Sequence, residues 1–145
     1  MSCNIRRCNN SICGICSIEE GIRDIENGLD SINSGLEDIE NRNFCNGIQS
    51  IEEGLSSIEE GLKDIQLGLR NTSFRIKCRD RRQINDAICD IQEAIRDIRE
   101  GLRDICNGNI CRGRALIEDG VNDIVEALDD IIEVLDGLDN CNCCR

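Results

Sequence analysis

Cysteine is the residue type best equipped for chemistry in this sequence, and its twelve copies are unevenly spaced along 145 residues. They are Cys3, Cys8, Cys13, Cys16, Cys45, Cys78, Cys89, Cys106, Cys111, Cys141, Cys143 and Cys144. Thiolates form disulfides, bind soft metal ions or act as redox groups. Which of these roles applies depends on where the fold places them.

One pair of cysteines has the spacing of a metal ligand set. Cys13 and Cys16 are separated by two residues, as in zinc sites, and Cys141 and Cys143 would supply two further thiolates for zinc or copper. The sequence contains no His, which removes the commonest companion ligand. A redox role for this C-x2-C pair normally requires a βαβ context, which the sequence lacks. Metal binding is therefore the alternative hypothesis, and the main hypothesis includes no metal and no cofactor.

The sequence offers little support for catalysis. Without His, neither a Cys-His nor a Ser-His nucleophile pair can form. A di-iron Glu-x-x-His motif is excluded for the same reason. The many carboxylates fall at positions that face away from the predicted core, where they serve solubility. We therefore predict that the chain is not an enzyme.

Apolar residues recur at alternating spacings of three and four, which predicts the elements that position the cysteines. Four such runs, mostly Ile and Leu, each sustain at least three heptads, the signature of coiled-coil helices. Residues 17–36 also align without a gap to residues 50–69. The predicted helices span about 16–40, 46–70, 81–106 and 114–139. We predict one helical domain over 1–145, with a Cys-rich N-terminal segment (1–16) and a Cys-rich tail (140–145).

The segments between the four runs are short and rich in Asn, Gly and Arg. Short connections usually join antiparallel neighbours, so the fold class predicted is all-α, an up-down four-helix bundle. A long, extended antiparallel array is the alternative.

Glycine occupies one heptad position almost throughout. With Ile18 at d and Ile22 at a, position g holds glycine, or alanine as at Ala87 and Ala94; in this register Gly108 also falls at g. Because glycine costs a helix interior about 1 kcal/mol relative to alanine, its regular placement indicates close helix–helix contact. The predicted close-packing seam comprises Gly21, Gly28, Gly35, Gly54, Gly61, Gly68, Gly101 and Gly120. The alternative is an inherited repeat whose glycines are tolerated on a solvated edge.

In such a bundle the cysteines collect at the two ends. One end receives the N-terminal four, Cys78, Cys89 and the C-terminal three, and the other receives Cys45, Cys106 and Cys111. This distribution favours intermolecular disulfides, and all twelve cysteines are cross-link candidates.

Bulk properties narrow the partners and the location. A net charge of −12 argues against nucleic acid and against an anionic membrane surface as partners. No apolar run approaches the roughly 18 residues that a transmembrane helix needs. The polar N-terminus does not read as a secretory signal peptide. Twelve cysteines are unusual for a protein that stays in a reducing cytoplasm.

The sequence resembles the Cys-rich structural proteins of bacterial endospore coats, exosporia and appendages. The matching features are the Cys-dense ends SCNIRRCNNSICGIC and CNCCR, the lack of a signal peptide and the Ile- and Asn-heavy composition. The resemblance implies synthesis in the cytoplasm of a mother cell, oxidation after release, and a place on the spore surface. The helical pattern departs from the β-rich appendage subunits, so the resemblance concerns the role and not the fold.

Together these features predict a self-assembling structural protein whose subunits join through Cys-rich ends by disulfides. The predicted partner is the chain itself, in heterologous head-to-tail contacts, and other Cys-rich surface proteins are a second class of partner. The sequence leaves open the disulfide pairing and the form of the assembly, whether filament, sheet or discrete oligomer.

Overall fold

The computed structural model describes residues 14–71 and 76–137. They form four helices, α1 (Gly14–Glu40), α2 (Phe44–Arg70), α3 (Cys78–Cys106) and α4 (Ile110–Gly137), and no strand occurs within these two ranges. The predicted all-α fold is confirmed. Each helix begins two to four residues earlier than predicted, because the first turn carries few of the apolar residues that reveal the heptad pattern.

The helices pack as two antiparallel hairpins. Helix α1 lies closely against α2, and α3 against α4, whereas the contacts between the hairpins, α1 with α4 and α2 with α3, are wider. The chain therefore runs up and down four times. We call the end where α1 and α3 begin the proximal end, and the end where α2 and α4 begin the distal end.

The core is built almost entirely from Ile and Leu. Position d holds Ile in every described heptad except the first of α2, where it is the exposed Phe44, and most of these Ile side chains, such as Ile25 and Ile58, are fully buried. Position a holds mostly Leu or Ile, also buried. Burial of this kind contributes about 1.5–3 kcal/mol per large aliphatic side chain, so the apolar seams supply the main stabilisation.

Each hairpin turn ends its first helix with the same hydrogen-bond pattern. After α1, the Asn43 N–H donates to the Asp38 carbonyl at 2.7 Å; after α3, the Asn109 N–H donates to the Asp104 carbonyl at 2.8 Å. A second bond, from the preceding residue, completes a Schellman motif in both turns. This motif needs a residue in the left-handed region, and the chain places Arg42 (φ 69°) there in one turn and Gly108 (φ 93°) in the other.

Gly108 falls at position g in the sequence register, but it takes no part in a helix–helix contact. Helix α3 ends at Cys106, and Gly108 forms the turn with no atom near the place where a Cβ would lie. The heptad register continues through this residue in the sequence, but the helix does not, because the left-handed conformation breaks the α-helical path.

The two hairpins are repeats of one unit. The turn sequence Asn-Arg-Asn-Phe-Cys (41–45) corresponds to Asn-Gly-Asn-Ile-Cys (107–111), and the same offset of 66 residues relates the core positions of the two hairpins. Turns of equal length fix the same antiparallel register in both hairpins.

Candidate assembly surfaces

The α1–α2 contact is a seam of opposed glycines. Gly14, Gly21, Gly28 and Gly35 of α1 oppose Gly68, Gly61, Gly54 and Gly47 of α2, respectively. A Cβ added at Gly28 would lie 2.5 Å from the Gly54 carbonyl oxygen and 2.7 Å from the Ile58 Cγ1. Real Cβ atoms essentially never approach that closely, so the two backbones touch because neither carries a side chain here.

The α3–α4 contact follows the same plan with larger residues. Gly101 opposes Gly113, but Gly120 opposes Ala94. A Cβ at Gly120 would lie 3.1 Å from the Ala94 carbonyl oxygen, compared with 2.5 Å for the equivalent Gly54. All eight predicted seam glycines lie at these two contacts, within the hairpins and not on an outer surface.

Carboxyl groups meet across the outer groove of the α1–α2 hairpin. Burial raises the pKa of Asp64 above its usual value, and a hydrogen bond with Asp24 and the charges of Asp24, Glu20 and Glu60 raise it further. The expectation that the outward carboxylates only serve solubility did not include this pair. It forms because the glycine seam brings α1 and α2 unusually close.

Three exposed, free thiols lie at the distal end. Cys45 is in the first turn of α2, Cys106 is the last residue of α3, and Cys111 is in the first turn of α4. The cysteines predicted for this end are therefore together at one end of the bundle. All three belong to helices, not to the connections, which are shorter than the sequence suggested.

The described cysteines of the proximal half are Cys16, Cys78 and Cys89. Cys78 begins α3 and Cys89 lies on its outer side; both are exposed and free. Cys16 differs, because its side chain is 6% exposed and it is disulfide-bonded. Of the described cysteines, Cys16 is therefore the least available for a bond to another subunit. The other predicted candidates lie outside the described residues, namely Cys3, Cys8, Cys13, Cys141, Cys143 and Cys144.

A shallow apolar groove of about 380 Å³ runs between α2 and α3 near the distal end. Its lining includes Ile48, Glu52 and Leu55 of α2 and Leu102, Arg103 and Cys106 of α3. A second depression of about 490 Å³ adjoins the first, shares Ile48 and Glu52 with it, and includes Cys45. We call the two together the distal groove. Phe44, which is 36% exposed, lies one residue before Cys45.

Ion pairs join the helices near this end. Arg99 of α3 bonds Glu59 of α2 at 2.8 Å, and Arg114 of α4 lies 3.7 Å from Glu40 of α1. These exposed pairs contribute little stability, about 0–1 kcal/mol each, but they link one hairpin to the other.

The distal groove was missed from the sequence because its two walls lie about 50 residues apart in the chain. One sequence signal for the cysteines was available. Cys45, Cys78, Cys111 and Cys144 are each separated by 33 residues, the length of one helix with its turn. This period places a thiol at the start of each described helix after the first, alternating between the two ends.

The predicted metal set is hardly represented in the described part of the chain, since only Cys16 of its four members falls there. Within residues 14–71 and 76–137, no cluster of three or more Cys, Asp or Glu side chains is arranged to hold a metal ion. Among those residues there is also no helix whose length and apolarity would let it cross a membrane.

Comparison with known proteins adds no identification. The sequence matches no protein-family model, and no significant similarity to a curated protein or to a solved structure was found.

Proposed function

We propose that this chain is a structural, self-assembling protein whose subunits are joined through their Cys-rich ends by intermolecular disulfides into a filament or layer. The observation that carries the proposal is the presence of exposed, free thiols at both ends of a rod-like bundle. The proposal includes no catalytic role and no cofactor.

The exposure of these thiols supports a role in bonding to other molecules and not in packing the core. Free cysteine is among the residue types most often buried, where it acts as a small apolar side chain. Here Cys45, Cys78, Cys89, Cys106 and Cys111 are all exposed, while the core is filled by Ile and Leu. The fold does not use these five side chains for packing, so their chemistry is available to a partner.

We further propose that oxidation takes place after the protein leaves the cytoplasm, on a spore surface or a similar extracellular structure. Two thiols lose two electrons and two protons to dissolved oxygen as each disulfide forms. A reducing cytoplasm would keep the same subunits as separate, folded bundles until release.

The test compares the wild-type chain with a variant in which Cys3, Cys8, Cys141, Cys143 and Cys144 are replaced by Ser. After air oxidation, we expect the wild type to form high-mass species that survive boiling in detergent and collapse to monomer with reductant. The variant should lose these species and keep its helical circular dichroism. Negative-stain images would show whether the wild-type product is a filament or a layer.

A control variant, Cys89→Ser, removes one exposed thiol from the side of α3 and should still polymerise. The proposal is wrong if the oxidised wild type remains monomeric. It is also wrong if the native protein contains stoichiometric zinc or copper with free thiols and no reductant-sensitive species, a result that would favour the metal hypothesis.

A further inference from the structure

We propose that the distal groove and its thiols receive residues 138–145 of a second copy of the chain, so that the polymer is polar and each subunit adds in the same orientation. This inference rests on the proposed function and specifies its geometry. The bonds run from Cys141, Cys143 or Cys144 of one copy to Cys45, Cys106 or Cys111 of the next.

Chain length separates these two sets of thiols within one molecule. Helix α4 begins at the distal end and ends at Gly137, so Cys111 and Gly137 lie about 39 Å apart at 1.5 Å per residue. Cys144 follows Gly137 by seven residues, which span at most about 25 Å when fully extended. The C-terminal thiols therefore cannot reach the distal thiols of their own chain.

Two described thiols remain within reach of the C-terminal segment in its own chain. They are Cys78, at the start of α3, and Cys89, about 17 Å further along the helix. A bond to either would close the chain on itself. A bond to any of the three distal thiols, in contrast, requires a second molecule.

The distal groove suits this segment. Its floor, formed by Ile48, Leu55 and Leu102, is mainly apolar and open to solvent on one side. Leu138 and the cysteines of the segment provide apolar side chains of matching size.

The charges at the rim of the groove also complement those of the segment. Arg103 lines the groove opposite Glu52, and the C-terminal segment carries Asp139 and Arg145. Ile48 lines both depressions, and Cys106 borders one of them and Cys45 the other. A segment that covers Ile48 would therefore bring its own thiols near both.

The chemistry balances as in the proposed function. One C-terminal thiol and one distal thiol form a disulfide, and dissolved oxygen accepts the two electrons and two protons. Because the two bonded surfaces differ, each addition leaves a free groove at one end and a free segment at the other, and growth need not stop.

The experiment uses two complementary variants, both with Cys3, Cys8 and Cys13 replaced by Ser. The donor keeps the C-terminal thiols and has Cys45→Ser, Cys106→Ser and Cys111→Ser. The acceptor keeps the distal thiols and has Cys141→Ser, Cys143→Ser and Cys144→Ser. After air oxidation, each alone should run as a monomer on a non-reducing gel, and an equimolar mixture should give a heterodimer. Mass spectrometry of the unreduced digest should find the donor segment bonded to Cys45, Cys106 or Cys111.

Several outcomes would overturn the inference. A dimer of the donor alone or of the acceptor alone means that subunits join by some bond other than one between a C-terminal thiol and a distal thiol. A donor segment bonded to Cys16, Cys78 or Cys89 means that the segment stays at the proximal end, and this result also overturns the inference. Each of these results is compatible with disulfide-linked wild-type material, whereas a wild type that never forms disulfide-linked species refutes the proposed function itself.

The groove is tested without removing a thiol. Ile48→Ser in the acceptor should slow heterodimer formation about tenfold, since the variant loses most of one apolar contact. The matched control is Leu67→Ser, which changes an exposed apolar residue of the same helix near the proximal end. Equal rates for the two variants would show that the groove does not seat the segment.

Discussion

The two hairpins differ at single residues, although they repeat one unit. Arg42 occupies the left-handed position of its turn, while the equivalent position in the other turn is Gly108. A side chain with a Cβ is disfavoured in this conformation by about 1–2 kcal/mol, whereas glycine adopts it freely. The first hairpin therefore retains strain that the second hairpin lacks.

We predict that Arg42→Gly stabilises the protein by about 1 kcal/mol, because it removes this strain while adding some freedom to the unfolded chain. Urea unfolding in reductant measures the change. Arg42→Ala is the control, since it removes the charge but keeps the Cβ, and it should give little gain. The reciprocal change, Gly108→Arg, should destabilise; if Arg42→Gly does not stabilise, the turn conformation is not strained.

The carboxyl pair Asp24–Asp64 makes stability depend on pH. Because burial and the hydrogen bond with Asp24 raise the pKa of Asp64, the folded protein holds this proton more tightly than the unfolded chain, whose value is near 3.8. Stability from this group is therefore greatest at acid pH and falls as pH rises from that value through the raised pKa. At pH values above the raised pKa of Asp64, its unfavourable contribution to the free energy of folding no longer changes with pH.

We predict that Asp64→Asn raises the melting temperature at neutral pH and has much less effect near pH 3. The measurement is the melting temperature as a function of pH for both proteins. Asp30→Asn, at an exposed site of α1, is the charge-matched control and should not reproduce the difference between acid and neutral pH. Equal profiles of melting temperature against pH for the two variants would mean that the contact of Asp64 with Asp24 does not affect stability.

At the scale of the helices, the glycine seam explains the repeated use of a poor helix former. The residue is unfavourable in an isolated helix by about 1 kcal/mol, but it permits backbone contact along the length of each hairpin. Position d supplies the counterpart, since the Cγ1 of an Ile lies next to the seam glycine of the partner helix, as Ile58 does next to Gly28. The fully buried Ile residues and the glycines thus belong to one packing unit.

The two hairpins offer a matched pair of substitutions. Gly54→Ala would place a Cβ 2.5 Å from the Gly28 carbonyl oxygen, whereas Gly120→Ala would place one 3.1 Å from the Ala94 carbonyl oxygen. Each added methyl would also meet an Ile Cγ1, at 2.7 Å from Ile32 for Gly54 and at 2.6 Å from Ile98 for Gly120, so the two sites differ in the backbone contact alone. We predict that Gly54→Ala destabilises by about 1–2 kcal/mol despite the better helix propensity of alanine, and that Gly120→Ala destabilises less. Urea unfolding of both variants gives the comparison.

Gly137→Ala serves as the control for helix propensity, because no atom of the described residues lies within 4 Å of its would-be Cβ. It should stabilise slightly or have no effect. If Gly54→Ala were as stable as the wild type, the α1–α2 seam would be more adaptable than its contacts indicate.

At the scale of the whole molecule, the fold and the proposed cross-links use different residues. The buried side chains of the four helices are Ile, Leu, Val and Ala, apart from Cys16 and Ser17, whereas the five free thiols of the described ranges are on the surface. A bundle of this size is able to bury enough apolar area to fold without covalent links.

We predict that the fully reduced protein remains helical and unfolds cooperatively. Circular dichroism with and without reductant, at a protein concentration low enough to prevent assembly, measures this. A large loss of helicity on reduction would contradict it and would mean that disulfides hold the bundle itself together.

The sequence alone was sufficient for much of the fold. Heptads of Ile and Leu determine four amphipathic helices, and short connections leave antiparallel packing as the economical arrangement. The regular glycines indicated close contact, and the distribution of Cys45, Cys78, Cys106 and Cys111 to the two ends followed from helix direction. These features are local in sequence or periodic, so they can be read without coordinates.

Only the tertiary structure decided which helices share a glycine seam, that Gly108 leaves the helix, and that Asp24 meets Asp64. It also placed Ile48 and Leu102 in one groove beside Cys106. These contacts join residues that are distant in the chain, and their partners depend on the hairpin register and on how one hairpin packs against the other. A heptad pattern is the same for every helix, so it shows which side of each helix is buried but not which helix buries it.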